Sequence, residues 1–310
     1  NAQIGLRLAE HMRSLWANLL YLSERRDWLE RLLAGAPEPT LERARGLEAL
    51  GVTAYNQGEY AEAQALLEES LALAEALGDL PAVAEATFRL SWAAIALGDR
   101  ARSDALLQRS MDLYQELGNR EQQAFVVLVL GELARSEGNL ERARELHEQS
   151  LTLHRALERK NLLPTALHNL GCVLVHFSEL DRAEELLRES LSIELERGSY
   201  IECTLMGFSF LAHARGQSWR AAQLLAASDA MREAIGMHVD VGDRPDYERT
   251  LADLRLQLGD AAFEAAWAEG EALSAEQAVA LALNDRSEGV GTSVGGPAEL
   301  GTPADPSATR

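Results

Sequence analysis

Three side chains that can bind metal ions are spaced by four residues in one segment of the chain. His168, Cys172 and His176 would lie on one face of a helix, because positions i, i+4 and i+8 recur at nearly whole helical turns. Imidazole and thiolate ligands suit Zn²⁺, but a zinc site needs a third or fourth ligand of matching geometry, and no CxxC pair supplies one. The pattern therefore favours a structural thiol between two ordinary histidines, and no metal site is expected.

Other polar groups that could do chemistry also have simpler interpretations. His147 and His154 lie on another predicted helix and are expected to face solvent. Carboxylate pairs such as Glu68–Glu69 and Glu184–Glu185 are typical of a solvated helix face. The sequence contains no HExxH or GxxxxGK[ST] motif. We therefore predict that the chain is not an enzyme, with no catalytic residue and no cofactor of its own.

The composition points to a helical protein and argues against two classes of partner. Ala, Leu, Glu and Arg dominate the 310 residues, and all four favour helices. The net charge of −20 argues against direct nucleic-acid binding, because phosphate binding needs clustered cations. The sequence has no run of eighteen apolar residues and no signal peptide, so we expect no membrane span and a cytoplasmic location.

Residues of the same type recur every forty positions in the middle of the chain. We call each such series a ladder. The first ladder is Gly58, Gly98, Gly138 and Ser178. Three more are Leu50, Leu90, Leu130 and Leu170; Leu66, Leu106, Leu146 and Leu186; and Ser70, Ser110, Ser150 and Ser190. Each unit is predicted to form two helices, residues 43–57 and 60–77 in the first, separated by a glycine that permits the left-handed conformation. Small residues at mid-helix predict close backbone packing, and they are Gly51, Ser91, Gly131, Gly171 on first helices and Ala63, Ser103, Ala143, Ala183 on second helices.

The string "ALGVTAYNQGEYAEAQALLEESLALAEALGD" resembles the tetratricopeptide repeat, with Leu-Gly in its first helix, Gly then Tyr at the turn, and a small residue in its second helix. The resemblance implies an all-α fold, a right-handed α-solenoid of helix pairs. Four strict repeats are expected over about 41–198, and a looser fifth pair, residues 201–215 and 218–235, completes a repeat region at 41–236. An irregular pair, residues 6–21 and 23–33, is expected within 1–40.

The C-terminal part of the chain changes character after the repeats. Residues 237–284 are predicted to form three capping helices that cover the last repeat. Asp243 or Asp246 is expected to cap the first of these, Gly259 and Gly270 to end the first and second, and Ser274 with Gln277 to form a capping box on the third. Residues 285–310 are rich in Gly, Ser, Pro and Thr and are predicted to be disordered.

Two end segments resemble a more specific group. The strings "LGDAAFEAAWAEGEALSAEQAVALAL" and "GLRLAEHMRSLWANLLYLSERRDWLERLLAGAPEPT" are similar to the repeat region of bacterial multidomain regulators with an NB-ARC or STAND-type ATPase and a LuxR-type or SARP-type output domain. The resemblance implies a sensing arm, with ATP bound only by a module upstream of this chain. Asn1 already lies in a predicted helix, so we expect a fragment of a larger protein. The alternative is a free-standing scaffold that joins protein partners.

First helices of stacked pairs usually line a concave groove, so their exposed positions are the candidate binding residues. Matching the repeat to the sequence selects Tyr55, Asn56, Glu85, Phe88, Trp92, Glu132, Arg135, His168, Cys172, His176, Met206, Phe210 and His213. Tyr55, Arg135 and His176 are expected to be exposed in the groove. Phe88, Trp92 and Phe210 have a second interpretation, as aromatic residues packed between helices.

The expected occupant is a protein or peptide partner, or a small inducer. Lysines and asparagines that bind carboxylate tails in some tetratricopeptide repeats are absent, and Glu48, Glu85 and Glu132 lie in that region instead. An acidic groove suits a basic or sugar-like ligand better. Oligomerisation through the N-terminal helix is a further possibility left open by the sequence.

Overall fold

The computed structural model describes residues 2–11, 22–157, 162–199, 201–235, 237, 239–240 and 242–284 of the 310-residue chain. Within these ranges the regular structure consists of fifteen α-helices with no strand, which confirms the all-α prediction. The predicted tail at 285–310, and residues 12–21 of the first predicted helix, lie outside the described residues. No described helix is both long and apolar enough to cross a membrane.

The helices follow one another as adjacent pairs. The N-terminal pair is α1 (Ala2–His11) and α2 (Leu22–Ala34). The four strict units are α3 (Leu41–Asn56) with α4 (Tyr60–Leu77), α5 (Leu80–Ala96) with α6 (Arg100–Glu116), α7 (Arg120–Ser136) with α8 (Leu140–Ala156), and α9 (Leu163–His176) with α10 (Leu180–Arg197). The last helices are α11 (Glu202–Ala214), α12 (Ser218–Ile235), α13 (Arg244–Leu258), α14 (Asp260–Glu271) and α15 (Ala275–Leu283).

The turn within each strict unit has the backbone conformation that the glycine ladder predicts. Gly58, Gly98 and Gly138 have φ of 81°, 75° and 73°. Ser178 adopts φ 59° at the fourth position, and no other non-glycine residue in the described ranges has a positive φ. Because the left-handed region costs about 1 kcal/mol or more for a residue with a Cβ, Ser178 carries local strain that the glycines avoid.

The small residues of the first helices leave space for one side chain of each second helix. The pairs are Gly51 with Leu67, Gly131 with His147, and Gly171 with Leu187. A Cβ added at these glycines would lie 2.8 Å from Leu67, 2.5 Å from the His147 ring and 3.1 Å from Leu187. These separations are shorter than ordinary carbon contacts, so the missing side chain at these three positions permits the close approach, whereas the second unit has the small residue Ser91 at the same register.

The serine ladder also has a structural explanation. Ser70 Oγ donates to the Ala44 carbonyl at 2.8 Å, and Ser190 Oγ donates to the Pro164 carbonyl at 2.9 Å, each 26 residues earlier. Ser228 in the fifth pair makes the same bond to Glu202 at 2.8 Å. These buried bonds connect each second helix to the beginning of its first helix. Ser110 departs from the pattern and bonds within its own helix, to Leu107.

The prediction that His147 and His154 face solvent is wrong. Their exposed fractions are 0% and 1%. His147 occupies the position on α8 that Leu67 and Leu187 occupy on α4 and α10, packed against the backbone of Gly131. Histidine is a polar residue, so the sequence favoured an exposed position, but His147 fills the space of an apolar side chain. Neither of its ring nitrogens has a hydrogen-bond partner among the described residues.

Of the helix ends predicted at Gly259 and Gly270 and the capping box predicted at Ser274, the first and the last are confirmed. Gly259 ends α13 with φ 75°, and Ser274 and Gln277 form the predicted capping box at α15. Gly270 does not end its helix, because α14 continues to Glu271. A Cβ at Gly270 would lie 2.3 Å from the Gln223 carbonyl oxygen, so this glycine permits α14 to pack directly on α12.

Burial of His147 predicts an acid-sensitive fold. Burial is the largest cause that lowers the pKa of His147, to about 3, with the charge of Arg135 adding to the effect. Because the folded state strongly favours the neutral imidazole, the contribution of His147 to folding stability is fully present above the unfolded-state pKa of about 6.5. That contribution is lost as the pH falls from 6.5 toward 3. Between pH 7 and pH 5 we expect a loss of about 2 kcal/mol from this residue, at 1.36 kcal/mol per pH unit.

The measurement is urea denaturation of wild type and His147→Leu at both pH values. The leucine variant should lose less stability than wild type, since it presents no group to protonate. An equal loss in both proteins would show that His147 does not control the acid sensitivity.

Candidate functional site

All predicted groove residues lie on the first helices of successive pairs, α3, α5, α7, α9 and α11. We use the word groove for the face that these five helices share. The structure divides the predicted residues into two sets. Tyr55, Trp92 and Glu132 line a cavity at the α3 to α9 end of the groove, whereas Arg135, His168 and His176 are engaged by α13 and the turn before it.

The cavity has a volume of about 260 Å³ and an aromatic wall. Its lining residues are Tyr55, Trp92, Ile95, Phe125, Leu128, Val129, Glu132, Leu133, Thr165 and Asp240. The ring centroids of Tyr55 and Trp92 are 5.9 Å apart, and those of Trp92 and Phe125 are 5.7 Å apart. Such tilted and edge-on contacts fix the three rings against one another. The cavity therefore has a rigid apolar side formed by three successive units.

The lining of the cavity also includes two carboxyl groups, those of Glu132 and Asp240. Glu132 is half-buried, and its Oε1 accepts a hydrogen bond of 2.9 Å from Asn169 Nδ2. Burial raises the pKa of Glu132 to about 8, with the nearby charge of Asp240 as the second cause. Burial also raises the pKa of Tyr55 to about 12, and the charges of Tyr60, Asp240 and Glu132 add to this shift. The cavity thus combines aromatic faces with two carboxyl groups whose ionisation is opposed by burial.

Arg135 does not face an open groove, which corrects the expectation from the sequence. Its exposed fraction is 3%, and its guanidinium donates to Asp243 Oδ1 at 2.6 Å and to Asp246 Oδ2 at 2.9 and 2.6 Å. His168 lies 3.3 Å from Asp243, and His176 lies 3.0 Å from Asp246. Residues 239, 240 and 242–258, which we term the returning segment, are held on the groove by these contacts.

The two aspartates were expected to cap α13, but they serve this buried network instead. Asp243 occupies the N-cap position, yet its side chain makes no capping hydrogen bond. Burial by itself would raise the pKa of Asp243, but the charges of Arg135 and His168 outweigh it and lower that pKa strongly. Burial likewise opposes ionisation of Asp246, and hydrogen bonds from His176 and Arg135 lower its pKa to about 2. Both groups are therefore carboxylates at neutral pH.

His168, Cys172 and Asp243 bring three potential metal-ligand atoms within 4.8 Å of one another. Cys172 Sγ lies 3.6 Å from His168 Nε2, and all three residues are buried. A divalent cation there would compete with the Arg135 guanidinium, which already holds Asp243 at 2.6 Å. The cluster is therefore better described as part of an ion-pair network than as a metal site. His176, the third residue of the sequence motif, bonds to Asp246 instead.

The other predicted residues have individual outcomes. Phe88, Met206 and Phe210 are buried, at 0%, 1% and 4% exposure, so they pack between helices. Asn56 is exposed but does not line the cavity. The remaining two have partners of their own: Glu85 accepts hydrogen bonds from Arg89 and Tyr114, and His213 lies 3.5 Å from Asp253 of α13.

Several lining residues were missed by the sequence reasoning although the repeat contains a signal for them. Ile95 is forty positions after Tyr55, and Thr165 is forty positions after Phe125. Extending each groove position along the ladder would have selected Ile95 and Thr165. Asp240 has no such signal, because it lies beyond the periodic part of the chain.

Comparison with known proteins identifies the repeats. Residues 42–116 and 123–194 match the family model described as tetratricopeptide repeat. These two segments are tetratricopeptide repeats and make up slightly less than half of the chain. A search of curated protein sequences gives no significant match.

Solved structures show the same fold at low sequence identity. NprR in complex with its cognate peptide NprX is 12% identical, with a TM-score of 0.62 over 88% of this chain and 77% of that one. A Rap protein complexed with competence and sporulation factor is 15% identical, with a TM-score of 0.57 over 89% and 82%. The STAND protein PH0952 from Pyrococcus horikoshii, which has a tetratricopeptide repeat sensor, is 13% identical, with a TM-score of 0.57 over 86% and 43%.

The buried network predicts a specific effect of Arg135→Gln. Removing the guanidinium leaves Asp243 and Asp246 as buried charges with too few partners, which costs about 3–5 kcal/mol. We expect faster amide hydrogen exchange across residues 242–258 than in wild type. The matched control is Arg142→Gln, whose side chain is 55% exposed in a surface pair with Glu145, and this variant should exchange as wild type. Unchanged exchange in Arg135→Gln would contradict the proposed attachment of the returning segment.

Proposed function

We propose that this chain is a non-catalytic binding domain whose groove receives a peptide or a short protein segment at the aromatic cavity. The observation that carries the proposal is the cavity itself, which four successive repeats and Asp240 line with aromatic rings and carboxyl groups. A concave apolar site with a few polar groups is the usual form of a ligand site. Its described lining contains no Ser/His/Asp or Cys/His arrangement of the kind used for nucleophilic catalysis.

The groove also binds polypeptide within the molecule. The returning segment lies on α7, α9 and α11 through Arg135, His168 and His213. One residue of this segment, Asp240, is part of the cavity lining. A peptide partner would therefore contact the cavity and the edge of the returning segment together. The peptide complexes formed by NprR and the Rap protein support this choice of ligand class over a sugar.

We further propose that the domain is the sensing arm of a bacterial cytoplasmic signalling ATPase or transcription regulator. Support comes from the strings at both ends of the repeat region and from the fold shared with the sensor of a STAND protein. In that role, ligand binding at the cavity would change the contacts of the repeats with an upstream ATPase module.

Two opposite substitutions test the binding site. Thr165→Trp should fill the cavity without deleting any packed ring, and Trp92→Ala should remove its aromatic wall. Octapeptides selected from a random displayed library on the wild-type chain should bind both variants at least tenfold more weakly. Thr152→Trp on the exposed face of α8 is the matched control and should bind as wild type.

The binding proposal fails if peptides selected on the wild-type chain bind all three variants equally. Circular dichroism of each variant separates a loss of binding from a loss of fold. This control matters most for Trp92→Ala, because the Trp92 ring also packs on Phe88 and Phe125.

The gene sequence upstream of this chain tests the proposed regulator context. The reading frame upstream of Asn1 should encode a nucleotide-binding module with a GxxxxGK[ST] phosphate loop. A start codon close to the Asn1 codon would overturn the regulator assignment and favour a free-standing scaffold, without affecting the binding proposal.

A further inference from the structure

The cavity of the groove has the size of one large side chain. Its volume of about 260 Å³ lies just below the range of sites that enclose drug-sized ligands. A peptide would therefore place a single residue in it, and the chemistry of the lining selects that residue.

The aromatic wall of the cavity already binds a cation within this molecule. The Arg89 guanidinium lies 4.2 Å from the ring centroid of Trp92. A guanidinium over an aromatic face is attracted by the quadrupole of the ring and stacks on it. The same wall continues through Tyr55 and Phe125, whose rings lie 5.9 and 5.7 Å from Trp92.

The carboxylates of the cavity have unused hydrogen-bonding capacity. Glu132 Oε1 accepts from Asn169, while the described residues supply no partner for its Oε2. Asp240 is exposed at the rim, and its carboxylate has no hydrogen-bond or ion-pair partner in the described part of the chain. Both groups border a cavity whose other walls are apolar, so a cation entering it would meet two acceptors in a partly dry environment.

Three arginines near the cavity have other partners. Arg135 is committed to Asp243 and Asp246 at 2.6 Å each. Arg89 is paired with Glu85 at 2.7 Å and with Glu48 at 3.6 Å. Arg244 is exposed, and its guanidinium donates to the Val239 carbonyl at 3.5 Å. Within the described part of the chain none of these three guanidinium groups bonds to Glu132 or Asp240, so both acceptors are left for a ligand.

We propose that the cavity is a recognition pocket for the guanidinium of an arginine in a peptide partner, with Glu132 and Asp240 as its acceptors and Trp92 and Tyr55 as its stacking faces. The proposal rests on the proposed peptide-binding function and specifies its chemistry. Arginine fits better than lysine, because a planar guanidinium can stack on a ring and donate several hydrogen bonds in fixed directions at once.

Selection from the random octapeptide library on the full 310-residue chain tests this assignment without assuming a sequence. The enriched peptides should share an arginine. Synthetic copies in which that arginine is replaced by citrulline, a neutral residue of the same shape, should bind at least tenfold more weakly at 0.15 M salt. Exposed charges more than about 8 Å apart are largely screened there, so attraction by the net charge contributes little.

Variants of the acceptors provide the second measurement. Glu132→Gln with Asp240→Asn should weaken binding of the arginine peptide at least tenfold and of the citrulline peptide less than twofold. The matched control, Glu121→Gln with Glu141→Gln, removes two exposed carboxylates outside the cavity and should bind both peptides as wild type.

The outcomes separate this proposal from the one before it. Enriched peptides without a common arginine, whose binding is still lost in Thr165→Trp, would overturn the arginine assignment and keep the peptide-binding function. The arginine assignment would also be overturned, and the peptide-binding function kept, if citrulline substitution or the acceptor variant changed the affinity less than twofold. A selection that enriches no peptide dependent on the cavity would overturn both.

Discussion

In three of the four strict units, one side chain of the second helix fills the space left by a glycine of the first helix. Leu67, His147 and Leu187 fill this position against Gly51, Gly131 and Gly171, where a Cβ would lie 2.5 to 3.1 Å from a side-chain atom. Because the same contact recurs every forty residues, every first helix presents the same face to the same side of the stack. The groove and its aromatic wall follow from that repetition, whereas Asp240 is contributed by the returning segment outside it.

One of these contacts is made by a histidine, which shows that a polar side chain can also fill the position. The His147 ring is excluded from water and has no partner among the described residues, so it behaves as an apolar group above its lowered pKa. The serine bonds at Ser70, Ser190 and Ser228 add direction to the packing, since each aligns a second helix with the carbonyl of one residue on the first. Shape sets the separation of the helices, and hydrogen bonds set their register.

Periodicity explains what could be predicted from the sequence and what could not. The helices α3 to α10 and their turns follow from residues that repeat at a spacing of forty, and Tyr55, Trp92 and Glu132 were found by the same reasoning. The pairing of Arg135 with Asp243 and Asp246 joins residues 108 and 111 positions apart and has no counterpart in any other unit. A pattern that occurs once gives no periodic signal, so the returning segment was expected only as a cap.

The connection between Arg135 and the returning segment affects how the chain unfolds. In a linear stack each unit contacts only its neighbours, so terminal units can open one at a time. The bonds from Arg135 on α7 to Asp243 and Asp246 join the C-terminal helices to the third strict unit, so α11 and α12 lie in a part of the chain that is connected at both ends. The C-terminal half should therefore unfold as one cooperative block, whereas α1 to α6 keep the gradual fraying of an open array.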